Sequence, residues 1–183
     1  MKNQKTKFVI LGLLTIEPMS GYEIKKFISE SISHFWAESN GQLYPALREL
    51  ARQECIELKE KKLNGKQESH LYSITKKGRV ALKVWLGEAN RGKSISRDED
   101  LLKLFFGKSA SIQGSIALLQ KREARISDKL NQYKEIQKVI ERHSHSPHAL
   151  YWRLTLKNGI CHAQAELAWC QEARAALQSG EEQ

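Results

Sequence analysis

From Ser111 to Arg142 the sequence contains no proline and one glycine, Gly114, near its start. Stepping by four and three through this stretch meets Ile112, Ile116, Leu119, Ile126, Leu130, Tyr133 and Ile140, with Glu123 and Gln137 as two polar interruptions. That rhythm specifies one amphipathic helix with a heptad seam. At 1.5 Å per residue it would extend roughly 48 Å. A small domain cannot bury such a length by itself, so another long helix, or a second copy of the chain, should pack on it. The length favours an interface between copies. The seven apolar seam positions are its expected members, joined by Leu154 and Trp169 from the last helix.

That last helix is expected over Leu150 to Leu177, after a break at Pro147 in "HSHSPH", with Asn158-Gly159 as a weak point. The second half thus reads as an antiparallel helical domain built for dimerisation. A short apolar helix, Leu101 to Phe106, should precede it and end near Gly107. The stretch "NRGKSISRDED", Asn90 to Asp100, is polar and turn-rich and marks a boundary between residues 1–90 and 91–183.

Residues 1–90 follow a different grammar. Phe8 to Ile16 is a compact apolar segment that fits a buried helix, stopped by Pro18. Ser20 and Glu23 have the spacing of a capping box, and Ile24, Phe27 and Ile28 form the inward stripe of a second helix. A third helix follows in "SNGQLYPALREL", residues 39 to 50. Pro45 is tolerated only in a first turn, which places the helix start near Gly41 or Gln42, with Ser39 or Asn40 as caps. Leu43, Ala46, Leu47, Leu50 and Ala51 should face inward. Tyr44, Arg48 and Arg52 lie four apart on another face, with Gln42 at the tip.

Ile56 and Leu58 then alternate with Glu57 and Lys59, and Leu71 to Ile74 is another strand-like run. Asn64-Gly65 between them predicts a hairpin turn. Thr75 is placed to cap a fourth helix that runs to about Ala89, with Val80, Val84 and Trp85 as its apolar positions. Three helices, a basic β-hairpin and a fourth helix make a winged helix-turn-helix, so the fold class is mainly α.

The net charge is +9, with 15 Lys and Arg against 10 Asp and Glu in residues 1–90, and 15 against 11 in residues 91–183. The excess has no basic tail, and it suits a polyanion partner or a solvated basic surface equally well. No apolar run approaches the ~18 residues of a membrane span. The basic lead and apolar start, "MKNQKTKFVILGLLTIEP", pass straight into a helix cap and are read as part of the fold rather than as a signal peptide. Three cysteines without a C-x-x-C pair point to a reducing compartment, and hence to the cytoplasm.

The sequence has no G-x-S-x-G, Walker loop, H-E-x-x-H or dinucleotide fingerprint, and no enzymatic constellation emerges. His143 and His148 are five apart, inside the loose range of paired zinc ligands, but sit across the turn at Pro147; with His145, Cys161 and His162 they read as a polar helix connection, so neither a metal nor a cofactor is expected. Trp36, Trp85, Trp152 and Trp169 are core residues or walls of a ligand pocket. Trp85, and Trp152 and Trp169 in the proposed dimer half, are the candidate contacts of a small hydrophobic or aromatic effector.

In a helix-turn-helix the second helix enters the major groove and its N-terminal residues meet base edges. On that reading Gln42 pairs with adenine, and Arg48 or Arg52 reaches guanine or phosphate. Tyr44, with Ser39 or Asn40, bonds phosphate. Lys61, Lys62 and Lys66 of the hairpin lie along the neighbouring DNA backbone or minor groove, a sequence-independent contribution. The rival reading is a winged helix used only as a protein–protein adaptor, for which weak DNA affinity, equal for all sequences, would speak.

The stretches "ILGLLTIEPMSGYEI", "GQLYPALRELARQECI" and "YSITKKG" resemble the signature segments of the PadR family of transcriptional regulators, closely over residues 8 to 80. "HAQAELAW" is similar to the closing helix of the longer, AphA-like members. Two departures stand out: Glu54-Cys55 replaces a glycine usual just after the recognition helix, and Ile74 replaces a leucine. The resemblance implies a homodimer joined by its C-terminal helices, binding a pseudo-palindromic operator, in most members as a repressor. By matching positions it implies backbone contacts from Tyr22, Tyr44 and the wing, and base contacts from Gln42 and Arg48. It also implies that an effector near the dimer centre relieves repression in some members.

Overall fold

The computed structural model describes residues 3–33, 35–36, 40–64, 67–89, 98–109 and 111–180. The chain divides into two compact units, Met1–Gly92 and Lys93–Gln183.

The first unit begins with α1 (Asn3–Leu13) and a two-residue strand β1 (Met19–Ser20), followed by α2 (Gly21–Phe27) and a π-helical turn over Ile28–Ile32. Next come α3 (Asn40–Arg52), β2 (Ile56–Asn64), β3 (Gln67–Ile74) and α4 (Lys76–Gly87). The strands form one antiparallel sheet in the order β1-β3-β2. Its core joins Ile10, Leu14, Ile24, Leu47, Leu50 and Leu82. This is a winged helix: α2 and α3 form the helix-turn-helix, and β2–β3 form the wing.

Four expectations need correction here. Helix α3 starts at Asn40, so Pro45 is its sixth residue and lies beyond the first turn. Having no N–H, it leaves the Gly41 carbonyl without its usual intrahelical donor. Asn64 pairs with Gln67 and so ends β2 instead of occupying the turn; Gly65 lies outside the described residues. Ala51 faces solvent. On α4, Val80 and Val84 are 63% and 60% exposed, and the inward face is Gly78, Leu82 and half-buried Ala81 and Trp85. The rotation of α4 is set by Gly78, where an added Cβ would overlap the Cys55 carbonyl oxygen. Only a residue without a side chain lets α4 come that close.

The second unit holds α5 (Glu99–Phe105), a 3₁₀ turn over Gly107–Ser109, and two long antiparallel helices, α6 (Ile112–Arg142) and α7 (Ala149–Gly180). At 1.5 Å per residue α6 is about 46 Å long. Asn158-Gly159 does not interrupt α7. Leu119, Ile126, Tyr133 and Ile140 are buried on α6, and Ala149, Leu156, Ala163 and Cys170 on α7. Both series step by seven. In an antiparallel pair this levels Leu119 with Cys170, Ile126 with Ala163, Tyr133 with Leu156 and Ile140 with Ala149. Each level sets a larger side chain against a smaller one.

The seam expected to join two copies is therefore filled largely by α7 of the same chain. Leu119, Ile126, Tyr133 and Ile140 are 1–6% exposed and are spent on this hairpin. Leu130 and Ile116 are half-buried, while Ile112, Leu154 and Trp169 remain exposed at 37%, 59% and 36%. No described helix is long and apolar enough to cross a membrane.

Candidate nucleic-acid interface

The core anchors α3 through Leu43, Ala46, Leu47 and Leu50, each no more than 8% exposed. This directs Gly41, Tyr44, Pro45, Arg48 and Arg52 outward, with Gln42 half-buried at the helix tip. A helix with one apolar stripe and a polar outer face has the shape needed to enter a groove.

Helix α2 supports the tip of α3. Ser20 Oγ accepts from the Glu23 N–H at 3.2 Å, and Glu23 Oε2 accepts from the Ser20 N–H at 2.7 Å, which completes the expected capping box. The next residue, Gly21, is the contact point: a Cβ there would come 2.9 Å from Tyr44 Cε1 and 3.3 Å from Leu47 Cδ1. The Tyr44 ring thus rests on the Gly21 backbone while 48% of the residue stays exposed. Tyr22, 69% exposed, is next in the chain. Gly21 therefore marks the meeting point of α2 and α3, with the Tyr44 phenol packed on it and Tyr22 its exposed neighbour in sequence.

The base of the wing is tied down as firmly. Glu54 has φ +56°, the left-handed conformation that favours glycine, so the departure noted in the sequence keeps the glycine-type backbone with a larger residue. Thr75 Oγ1 donates to the Glu54 carbonyl at 2.7 Å and accepts from the Gly78 N–H at 3.1 Å; its own N–H reaches the Cys55 carbonyl at 3.1 Å. One threonine thus caps α4 and fastens it to the end of α3. Ile74, the second departure, is buried at the end of β3, where a β-branched residue fits well.

Among the described residues Arg48 forms no ion pair. Arg52 differs: its Nε and Nη2 bind Glu49 Oε2 and Oε1 at 2.8 and 2.7 Å. Gln53 Nε2 adds a bond of 2.5 Å to Glu49 Oε1. Arg52 therefore holds the Glu49 carboxyl below its usual pKa. On the wing, Lys59 is exposed, and a bulge lies between Leu58 and Glu60. Lys61 and Lys62 lie in β2 opposite His70 and Ser69. Asn40 opens α3. Ser39 and Lys66 lie outside the described residues.

The candidate effector tryptophans divide between the units. Trp85 stacks on Phe8 at 4.6 Å and 5° in the first unit, a packing role. Trp152 stacks on His148 at 5.8 Å in the second unit, and Trp169 lies under Arg122 at 5.8 Å. His143 Nδ1 lies 2.8 Å from the Val139 carbonyl at the end of α6. Among the described residues no three His, Cys, Asp or Glu side chains converge as metal ligands. Cys55, Cys161 and Cys170 are unbridged.

Sequence reasoning missed Gly21 as the seat of Tyr44 and Glu49 as the partner of Arg52. The first signal was a glycine at the start of a helix, where only contact with another element requires it. The second was a Glu three residues before an Arg on one helix.

Two family models match the chain: "Transcriptional regulator PadR-like family" over residues 10–84 and "Virulence activator alpha C-term" over residues 96–178. The chain is 29% identical over 175 residues to the negative transcriptional regulator PadR of Bacillus subtilis, covering 93% of this chain and 96% of that one. The crystal structure of B. subtilis PadR in complex with operator DNA superposes with a TM-score of 0.81 at 26% identity, over 93% of this chain and 98% of the other. PadR with p-coumaric acid gives 0.76 at 25% identity, over 94% and 98%. The virulence activator AphA of Vibrio cholerae gives 0.72 at 27% identity, over 95% and 98%. The winged helix is thus matched by the PadR-like transcriptional-regulator model and the long helical hairpin by the virulence-activator C-terminal model, so the chain is similar in both of its units to PadR-like transcriptional regulators of the longer form.

Proposed function

We propose that this regulator binds a pseudo-palindromic operator as a homodimer and represses transcription from it, with residues 1–90 reading DNA and residues 91–183 pairing the two copies. The observation that carries this reading is the outer face of α3. Gln42, Tyr44 and Arg48 project from a helix whose opposite side is locked in the core, and Arg48 has no ion-pair partner among the described residues. Gln42 is suited to adenine and Arg48 to guanine through bidentate bonds. Tyr22, Tyr44, Ser39, Asn40 and the wing lysines Lys61, Lys62 and Lys66 supply backbone contacts that set the register.

Pairing draws on apolar surface that the helical hairpin leaves uncovered. Phe105 and Phe106 are 81% and 61% exposed on or beside α5, and Leu150, Tyr151 and Leu154 are 53–66% exposed at the start of α7. Apolar residues so exposed and so grouped mark a protein contact. A closed two-fold dimer then presents two winged helices to two half-sites. A small aromatic effector, of the class represented by the p-coumaric acid bound to the B. subtilis neighbour, would act on this unit, with Trp152 as the candidate contact. The absence of a membrane-length helix among the described residues and the DNA partner both suit a cytoplasmic site of action.

The test is operator binding by Arg48→Ala and Tyr44→Ala proteins whose dimer content and melting match the wild type. A loss of about 5- to 150-fold for Arg48→Ala, on the scale of about 1–3 kcal/mol for a bidentate base contact, is expected. Unchanged affinity in both would overturn the assignment of α3.

A further inference from the structure

Two arginines leave the outer face of α3, and the structure treats them differently. Arg48 is exposed and has no ion pair among the described residues. Arg52, one turn on, gives two guanidinium nitrogens to Glu49 at 2.7 and 2.8 Å, and Gln53 fixes the same carboxylate at 2.5 Å. The Arg52 and Glu49 side chains are 74% and 45% exposed, so this carboxylate stands on the polar face of the helix rather than in the core. On a surface that meets a polyanion, a carboxylate works against binding unless it accepts from a cytosine amino group. Here its oxygens already hold three donors.

We propose that Glu49 is a specificity-determining residue that withholds Arg52 from the DNA backbone, lowering sequence-independent affinity while Arg48 remains free to read bases. This rests on the reading of α3 as the recognition helix. Twelve residues separate Asn40 from Arg52, roughly 18 Å along the helix axis. Arg52 therefore stands far from the tip that meets base edges, and what it could add there is a phosphate contact, which carries no sequence information. Held by Glu49, Arg52 adds nothing to non-operator DNA, and the ratio of specific to non-specific binding rises. An ordinary exposed pair three residues apart on a helix would affect helix stability slightly and leave the salt dependence of binding alone.

The experiment measures binding of full-length protein to a shuffled 30-base-pair duplex over a range of salt concentrations, alongside DNA from upstream of its own gene. The proteins are wild type, Glu49→Gln, Arg52→Met, the double variant and Arg48→Ala. For the shuffled duplex, Glu49→Gln is expected to bind about 3- to 10-fold tighter at low salt, with the slope of log K against log salt steeper by about 1. Arg52→Met alone should leave the slope unchanged, and in the Glu49→Gln background it should restore the wild-type slope. An unchanged slope in Glu49→Gln, or a shallower slope in Arg52→Met alone, overturns the proposal. Arg48→Ala separates the two failures. If it weakens upstream binding while Glu49→Gln changes nothing, only the role of Glu49 falls; if it too has no effect, the reading of α3 falls with it.

Discussion

The ring of Tyr44 lies on the backbone of Gly21, so close that a Cβ at Gly21 would come 2.9 Å from ring carbon Cε1. The contact joins the first residue of α2 to the exposed face of the helix it supports. Because the Tyr44 ring is half exposed, it can move aside for a methyl group where a core side chain could not. Gly21→Ala should therefore cost only about 1 kcal/mol of stability, at the low end of overpacking penalties. Its effect on operator affinity should be larger than on stability, because the displaced phenol leaves its seat on Gly21 at the exposed face of α3. Melting and a binding titration on the same preparation check both parts.

Glu54 offers the opposite sign. It keeps a left-handed φ of +56° that a glycine adopts without cost. Its carboxylate reaches Lys77 at 3.5 Å, but this side chain is 83% exposed and the pair is worth little. Glu54→Gly should raise stability by about 0.5–1 kcal/mol, visible as a higher melting temperature. Gly78→Ala, by contrast, would place a methyl against the Cys55 carbonyl, which is backbone and cannot yield. It should cost about 3 kcal/mol or more, and denaturant titration would place the two variants on opposite sides of the wild type.

Both glycine effects show what the sequence could and could not disclose. The winged helix was readable because each of its elements carries a local signal: the Ser20–Glu23 box, the alternation beyond Cys55, and Thr75 at a helix start. What was not readable depends on which elements meet. Val80 and Val84 have the spacing of an inward stripe, yet Gly78 turns α4 so that they face solvent. The α6 seam was legible as a seam, but periodicity alone does not say whether its partner is α7 or another copy. The matching seven-residue steps of Leu119–Ile140 and Ala149–Cys170 decide this only when the two helices are seen together. The polar tip of α3 was legible from Gln42, Tyr44 and Arg48, whereas the capture of Arg52 by Glu49 needs side-chain geometry.

The second unit should show a particular response to acid. Asp98 caps α5 by accepting from the Leu101 N–H at 3.0 Å and takes both nitrogens of Arg122 at 2.9 and 2.7 Å. Arg122, only 11% exposed, also pairs with Asp100 at 3.6 Å and with Glu166. These bonds lower the Asp98 pKa from 3.8 to about 2, with the Arg122 guanidinium the chief cause and the Leu101 N–H the next. A lowered folded pKa means that the stabilisation is present above the unfolded value near 3.8 and is lost as the pH falls through about 2. Asp98→Asn should therefore lower the melting temperature at pH 7 and flatten its fall between pH 4 and pH 2. Melting curves across that range on both proteins check it.

Arg122→Met removes the cation that three carboxylates share. Buried pairs broken on one side lose about 3–5 kcal/mol, and the partial exposure of the carboxylates here should reduce the loss to about 2 kcal/mol. The triple variant Arg122→Met, Asp98→Asn, Glu166→Gln should recover part of it, because fewer uncompensated charges remain. Chemical denaturation of the single and triple variants gives the comparison.

The central claim is that this winged helix reads sequence as well as charge. The most direct measurement is a titration of purified full-length protein, at near-physiological salt, against DNA from upstream of its own gene and against the same duplex shuffled. Sequence-specific recognition predicts tighter binding to the native duplex by about 10³ or more, with a footprint of two half-sites about one helical turn apart or a multiple of it. Equal, weak binding to both, persisting when the genome is sampled by pull-down of bound fragments, would contradict the claim and leave the basic surface as a general one.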